Sequence, residues 1–492
     1  MITYLLRLVT ILCFIVAEGC SVGPDYKKPT NAFPNAFKEV KGWKQAHPRD
    51  IEISDKWWEI FKDPRLNALE EQINIANQSI AQAEAQFRQS QSMVQTATAA
   101  YFPIANASAF ASRFKAVSGE TKAVSGVTNL FNTALSAAWE PDLWGSVRRQ
   151  VESSRANAQA SAATLQALRL STQTTLAQNY FLLRVFDAQI KLLNDTVKTY
   201  QKTLTMTQNR YAVGIAAKSE IVQAESQLQS AQAQAINIEV QRAQVEHAIA
   251  ILIGKPPAQV TISVGALNTF LPAIPVSIPS ELLERRPDIT IAERQAAAAN
   301  ALIGVAKAAY FPTVNLAANN GQQNNSVSNL MNSASRYWTL GPAAFAIPLF
   351  DGGFRGAQMQ QAIDAYDASV AAYRQAVLVS FQEVEDNLAA LRILEQEVLV
   401  QNKAVESAQK AVLLTTNQYK AGTISYLNVM IDQAAALANE KTAVDLQGQR
   451  LSAAVLLIKA LGGGWKSSTL PSEEDISGDI KWLQFLPIPI SE

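Results

Sequence analysis

The stretch AAYFP fills residues 99–103 and returns, letter for letter, at 308–312. Each copy closes a run of helical periodicity and opens an alternating, strand-like stretch. The proline forces that change, since it cannot extend a helix and biases the preceding residue toward extended backbone. One five-residue repeat could be chance, but its neighbours repeat as well. The sequence DLWGSVRR places Gly145 three before Arg148, and LFDGGFRG places Gly352 three before Arg355. Asn209, Tyr211 and Gly214 of TQNRYAVG match Asn417, Tyr419 and Gly422 of TTNQYKAG, and Gly254 of LIGK matches Gly462 of ALGG. Every offset lies within one residue of 208. The chain is therefore an internal duplication whose unit is too long for a solenoid repeat.

Working outward, each unit reads as a helix, two strands, then a long helix broken at a glycine. In the first unit the opening helix runs from Asp63-Pro64 to Ala100, with Asp63 as cap and Pro64 in the first turn. A strand over 130–139 alternates Phe131, Thr133, Leu135, Ala137 and Trp139 against Asn132, Ala134, Ser136 and Ala138, so one face is apolar and the other small or polar. A helical stretch over 145–213 follows, breaks at Gly214 and resumes over 219–253. The second unit gives a helix over 279–309, a strand after Pro312, a strand over 337–348, and a helix from about Gly352, broken at Gly422 and continued to Leu461. Gly341-Pro342 interrupts the fourth strand, and a bulge or a change of register is expected there.

The long helices carry a regular seam. Leu176, Asn179, Leu183, Phe186, Ile190, Leu193, Val197, Tyr200, Leu204, Thr207 and Tyr211 step by three and four, and the same register holds 208 residues later from Val384 to Tyr419. A 3.5-residue period is a coiled-coil seam. The 145–213 stretch would span about 100 Å at ~1.5 Å per residue, more than a compact domain holds.

Composition limits the function. The chain has 492 residues, 48% hydrophobic and only 17% charged, with net charge zero and mean hydropathy zero. No basic footprint for nucleic acid exists. No apolar run reaches the ~18 residues of a transmembrane helix. Four strands of about ten residues, each with an apolar face, have the length to cross an outer membrane. They cannot close a barrel, and an open edge cannot sit in lipid, so an oligomer sharing one barrel is required. The alternative is a soluble four-stranded sheet packed on the helices.

At the N-terminus, Arg7 precedes a short apolar run over 8–17 and then Gly19-Cys20. This reads as a secretory signal. Cys13 would leave with it, making Cys20 the sole thiol of the mature chain. A lone Cys at that point resembles a lipoprotein signal, in which the thiol is acylated; the alternative is an ordinary signal cut near Ala17. The expected divisions are a signal at 1–19, an extended lipidated arm at 20–62, unit one at 63–254, a linker at 255–278, unit two at 279–464 and a tail at 465–492. The two histidines, His47 and His247, have no metal-ligand spacing. The RRPD stretch at 285–288 reads as structural ion pairs and not as a catalytic pair. Neither catalytic residues nor a cofactor or metal is expected.

Several stretches together resemble one family: GCSVGPDYKKP at 19–29, WWEIFKDPRLNALE at 57–70, PSELLERRPDITIAERQAAAANALIGVAKAAYFP at 279–312, PLFDGG at 348–353 and LGGGW at 461–465. The chain resembles TolC-type outer membrane factors of the lipoprotein (NodT-like) branch, the exit ducts of tripartite efflux pumps. The resemblance implies an α+β membrane protein: a homotrimer with a 12-stranded β-barrel in the outer membrane, continued by a 12-helix periplasmic α-barrel. It also implies a periplasmic adaptor and an inner-membrane pump, of RND type, as partners. Two other jobs fit the same architecture, the duct of a type I protein secretion system and a non-conducting structural tether. In the family the end far from the barrel is a closed aperture that opens when the adaptor docks. Gly214 and Gly422 fall there, with Ser219 and Ser425 as N-caps of the returning helices. Tyr211 and Tyr419 stand at the aperture. Ile431 occupies the slot where some relatives carry an Asp ring, and Asp432 lies beside it.

Overall fold

The computed structural model describes residues 21–30, 37–40, 55–116, 126–272, 274 and 282–477. The signal segment, Cys20 and His47 lie outside the described residues. The elements in chain order are α1 (Pro64–Ala76), α2 (Gln78–Ala99), β1 (Ile104–Ala116), β2 (Gly126–Trp139), α3 (Ser146–Ala212), α4 (Lys218–Leu252), α5 (Leu282–Arg285), α6 (Pro287–Ala308), β3 (Thr313–Asn324), β4 (Arg336–Ala346), α7 (Phe354–Ala421), α8 (Tyr426–Ala460) and α9 (Glu473–Ser477). The strands form one antiparallel sheet in the order β1-β2-β3-β4.

The quoted junction is the point where helices become strands. The last amides of α2 and α6 tighten into three-residue turns, Tyr101 N–H to Thr98 and Tyr310 N–H to Lys307, and the proline then ends each helix. The junction carbonyls are held by tryptophans. The indole N–H of Trp139 donates to Tyr101 O at 3.0 Å, and that of Trp144 donates to Pro312 O at 2.7 Å.

The two long helices have 67 and 68 residues, each about 100 Å at ~1.5 Å per residue. Near the sheet the helices lie side by side as α2-α3-α6-α7, and farther away as α4-α3-α8-α7. Helices α3 and α7 run through both halves, whereas α4 abuts α2 and α8 abuts α6 end to end. At these equatorial joints one residue serves two helices. Asn77 accepts the Ile80 N–H as cap of α2 and donates to Leu252 O at the end of α4, at 2.7 Å. Arg286, cap residue of α6, donates to Ala460 O at the end of α8, at 3.1 Å. Gly254 and Gly462, the landmarks of the repeat, stand at these joints with φ +70° and +95°. A Cβ on either would strike a carbonyl oxygen, of Ala76 and of Arg285 respectively.

Around this equator lies the largest apolar core, built from Trp57, Trp58, Phe61, Leu66, Ile73, Leu176, Phe181, Leu451 and Ile458, among others. The seam of α3 is buried at Leu176, Leu183, Leu193, Tyr200, Leu204 and Thr207. On α7 only Val384, Leu391 and Tyr419 of the corresponding seam are buried, because α7 is an edge helix with a neighbour on one side only.

Some expectations are corrected. The opening helix of unit one is two helices, split at Asn77, whose ψ of 119° leaves the helical region. Likewise, α5 and α6 are parted at Arg286, which is held extended ahead of Pro287. The stretch 20–62 is not extended throughout: residues 57–61 form a 3-10 turn whose Trp57, Trp58 and Phe61 are buried. Strand β2 is longer than the alternating run suggested. The equivalent of Gly145, which caps α3, is Gly353, which caps α7, and not Gly352. The bulge is present: β3 passes from Leu316 to Ala318 while β4 passes from Ala343 to Leu340, leaving an extra residue at Gly341-Pro342.

Candidate functional site: a sheet edge, a tunnel wall and a distal tip

The cross-strand register sorts the strand residues onto two faces, since paired residues point the same way. One face carries Leu135, Trp139, Leu316, Trp338, Leu340 and Phe345, all exposed. The other carries Asn106, Ser108, Asn132, Ser136, Asn319, Gln323 and Thr339, and on the edge strand β1 also Ile104, Phe110 and Phe114; its residues on β2, β3 and β4 make it the polar face. Asn132 donates to Tyr337 Oη at 3.0 Å and to Gln323 Oε1 at 3.4 Å. The Tyr337 ring lies over Gly321, where a side chain would collide with it. Strands β1 and β4 are open edges, and so are α7 along its length and α2 and α4 opposite it. Exposed apolar side chains gather on the distal edge helices: Leu399, Val400, Leu413 and Leu414 on α7, Val222, Ile236 and Val240 on α4. No helix among the described residues is long and apolar enough to cross a membrane.

The N-terminal arm is seated against α3 and α6. Val22 N–H donates to Trp144 O at 3.1 Å, and Ser21 packs on Gly145. Arg149, almost fully buried, pairs with Asp25 and Glu152, both at 2.7 Å. Asn300 donates to Pro24 O at 2.9 Å, and Tyr26 Oη donates to Glu293 at 2.8 Å. Burial and the Glu293 carboxylate push the Tyr26 phenol well above its usual range, so it stays a donor.

At the far end, both long helices stop at left-handed glycines. Gly214 has φ +79° and Gly422 has φ +81°, and the next amides reach back five residues, Ile215 to Arg210 at 2.9 Å and Thr423 to Gln418 at 3.1 Å. Two expectations here are corrected. Ala217, not Ser219, is the N-cap of α4, and Ser219 lies inside the helix. Tyr419 does not line an opening: it is 1% exposed, whereas its counterpart Tyr211 is 45% exposed. Ser425 does stand at the N-cap of α8, with no side-chain cap bond. Asp432 is half-buried and Ile431 exposed.

Sequence reasoning missed what Tyr419 does. Its hydroxyl lies 2.9 Å from Glu220 and 3.2 Å from Thr207, and the Arg210 guanidinium sits 4.6 Å above its ring. Arg210 also donates to Lys420 O at 3.0 Å. Tyr426 packs edge-on against Tyr419 and donates to Gln227 at 3.0 Å. The two hairpins of one chain are thus tied together at the tip by residues from α3, α4, α7 and α8. The one available signal was the Tyr three residues before each glycine, with Arg210 beside the first and Lys420 beside the second.

Two segments, residues 69–255 and 278–463, match the profile of the family described as "Outer membrane efflux protein". The chain belongs to this family. It is 28% identical over 462 residues to the cation efflux system protein CusC of Escherichia coli O6:H1, covering 93% of this chain and 99% of that protein. It is 27% identical over 471 residues to the toluene efflux pump outer membrane protein TtgC of Pseudomonas putida, covering 95% and 97%. Among solved structures, the outer-membrane channel OprN superposes with a TM-score of 0.85 at 28% identity, covering 91% of this chain and all of that one. As an outer membrane efflux protein, the chain is the exit duct of an efflux pump, seated in the outer membrane and extending into the periplasm. The fold is that of the trimeric channels: four strands from each of three copies give a 12-stranded barrel, and the edge helices meet in a 12-helix tunnel.

Proposed function

We propose that this duct works in a three-part pump, with a periplasmic adaptor docking at the Gly214 and Gly422 turns and an inner-membrane pump of RND type supplying cargo. One observation carries the docking site. The matched left-handed glycine turns lie at the end of the helices farthest from the sheet, and a Cβ at Gly214 would meet nothing within 4 Å. They are surface corners, not packing positions. Tyr211 stands exposed beside one corner, while Tyr419 and its partners fix the spacing of the two hairpins. The relatives are named for cations and for toluene at nearly equal identity, which supports a duct whose cargo is chosen upstream. No residue is assigned a catalytic role.

Cys20 is proposed as the lipid attachment. Ser21, the next residue, packs at Gly145, at the barrel end of α3, so an acyl chain on Cys20 would start where the barrel meets the inner leaflet. The polar sheet face is proposed to line the lumen and the apolar face to meet lipid.

The test is bulky substitution at the corners. Gly214→Trp and Gly422→Trp should leave trimer level and heat resistance near wild type, because the added side chain enters open space at Gly214 and meets only the far end of the Arg210 side chain, at 3.6 Å, at Gly422. Adaptor cross-linking should fall at least tenfold, and sensitivity to a panel of dyes, antibiotics and metal ions should approach that of a deletion strain. Normal export by both variants would overturn the docking assignment. Ion conductance of purified trimers in planar bilayers separates a duct from a tether.

A further inference from the structure

The four strands contain three charged residues: Arg113 and Lys115 in β1 and Arg336 in β4, with none in β2 or β3. All three are basic. All three point to the apolar face: Arg113 pairs with Asn129 and Lys115 with exposed Val127, on the face of Leu135, while Arg336 pairs with Gln322 on the same side. They also share a level. Arg113 stands nine residues above Ile104 at the periplasmic end of β1, and Arg336 ten residues above Ala346 at that end of β4. At ~3.3 Å per residue and a tilt of ~45°, both are roughly 20–25 Å up, the full height of an outer-membrane apolar band. Below them the face carries Trp338 beside Asn320, then Leu340 and Leu135, then Phe345 and Trp139 near the base; the aromatic residues at both levels are those expected of a lipid-facing wall with girdles.

A lone cation at this height could simply reach water. Three cations with no acid among them, on the two edge strands, need another account. Closing the trimer brings β4 of one copy beside β1 of the next, so Arg336 and the Arg113–Lys115 pair converge across each seam at the outer-leaflet surface. We propose that each of the three seams binds the phosphates of a phosphorylated glycolipid of the outer leaflet, with Arg336 from one copy and Arg113 and Lys115 from its neighbour as ligands. The guanidinium forks fit phosphate oxygens, and the acyl chains would lie against Val127, Leu135 and Leu340. The site is incomplete in one chain. It also offsets the like-charge repulsion that the seam would otherwise impose on assembly.

The inference rests on the apolar face being the outward one, and the test separates the two. Full-length trimers in detergent are titrated with diphosphorylated lipid A, with the same lipid stripped of phosphate, with phosphatidylglycerol and with inorganic phosphate. Native mass spectrometry reads bound lipid, and the temperature of trimer dissociation reads stabilisation. Diphosphorylated lipid A should bind up to three per trimer and raise that temperature. The phosphate-free lipid, and the R113Q/K115Q/R336Q variant with the intact lipid, should each bind at least about tenfold more weakly. The charge-keeping R113K/K115R/R336K variant should retain most binding. Phosphate-free lipid binding within twofold of the intact lipid overturns the proposal without any variant being needed. Binding of phosphatidylglycerol or inorganic phosphate equal to that of lipid A overturns the glycolipid assignment. A cysteine at Leu135 that reacts with impermeant, water-soluble reagents in the assembled barrel would instead overturn the face assignment, and the proposal with it.

Discussion

Glu70 shows how far one residue can depart from its appearance in the sequence. It lies in α1 beside Glu71, which is exposed and pairs with Lys56 at 3.0 Å. Glu70 itself is fully buried, and neither carboxylate oxygen has a hydrogen-bond partner. Burial alone holds its acid well above the usual 4.5. A group whose folded-state pKa is raised favours the folded state most below its unfolded pKa, and that contribution is lost as pH rises through the folded value. Wild-type trimers should therefore lose thermal stability from about pH 4.5 upward relative to Glu70→Gln, whose side chain cannot ionise. Melting of the two proteins across pH 4–9 checks this: their difference should widen with pH, and parallel curves would show that the Glu70 acid is no weaker folded than unfolded. Neither the period nor the spacing of α1 distinguished Glu70 from Glu71; only the equatorial core around it did.

At the scale of elements, the duplication keeps geometry and changes chemistry. Asn77 and Arg286 occupy corresponding equatorial joints, and each joins the carbonyl end of one helix to the amide end of the next. The first bonds both ends with its own amide; the second donates its guanidinium to the carbonyl end only and reaches the start of α6 through Asp288, at 2.5 Å, whose Oδ1 accepts the Ile289 N–H, while also meeting Glu383 at 2.7 Å. The RRPD stretch is thus a helix joint. What the two joints share is glycine. Gly254→Ala and Gly462→Ala combine positive φ with a collision against backbone, and each should destabilise the equator by about 2 kcal/mol or more. Gly214→Ala has the same φ but open space, and should cost about 1 kcal/mol. The dissociation temperature of trimers should fall clearly for the first pair and little for the third. An equal fall for all three would mean that the equatorial joints are not close-packed. The glycine landmarks were legible in the sequence, but their different surroundings were not.

For the whole molecule, the lumen is the quantity to test. Ser108 and Ser136 lie on the polar face, and neither takes part in the Asn132–Gln323–Tyr337 bonds that bury Asn132. Cysteines at Ser108 and Ser136 should react with small water-soluble thiol reagents in intact trimers at least tenfold faster than a cysteine at Leu135. A cysteine at Asn132 should be slow despite facing the lumen, because Tyr337 covers it. Faster labelling at Leu135 than at Ser136 would invert the barrel wall.

By itself the sequence determined the duplication, the helix-to-strand junctions, the glycine corners, the strand alternation and the need for more than one copy. These follow from local steric rules, from periodicity and from the impossibility of an open sheet edge in lipid, all of which act along the chain. Only the tertiary structure decided which of two identical tyrosines is buried, which of two adjacent glutamates loses its water, and which glycine cannot carry a methyl group. It also placed the three strand cations at one level of one face. The reason is physical: the first set depends on neighbours in sequence, while burial, collision and charge clustering depend on atoms hundreds of residues away, brought close only when two copies of one unit pack face to face.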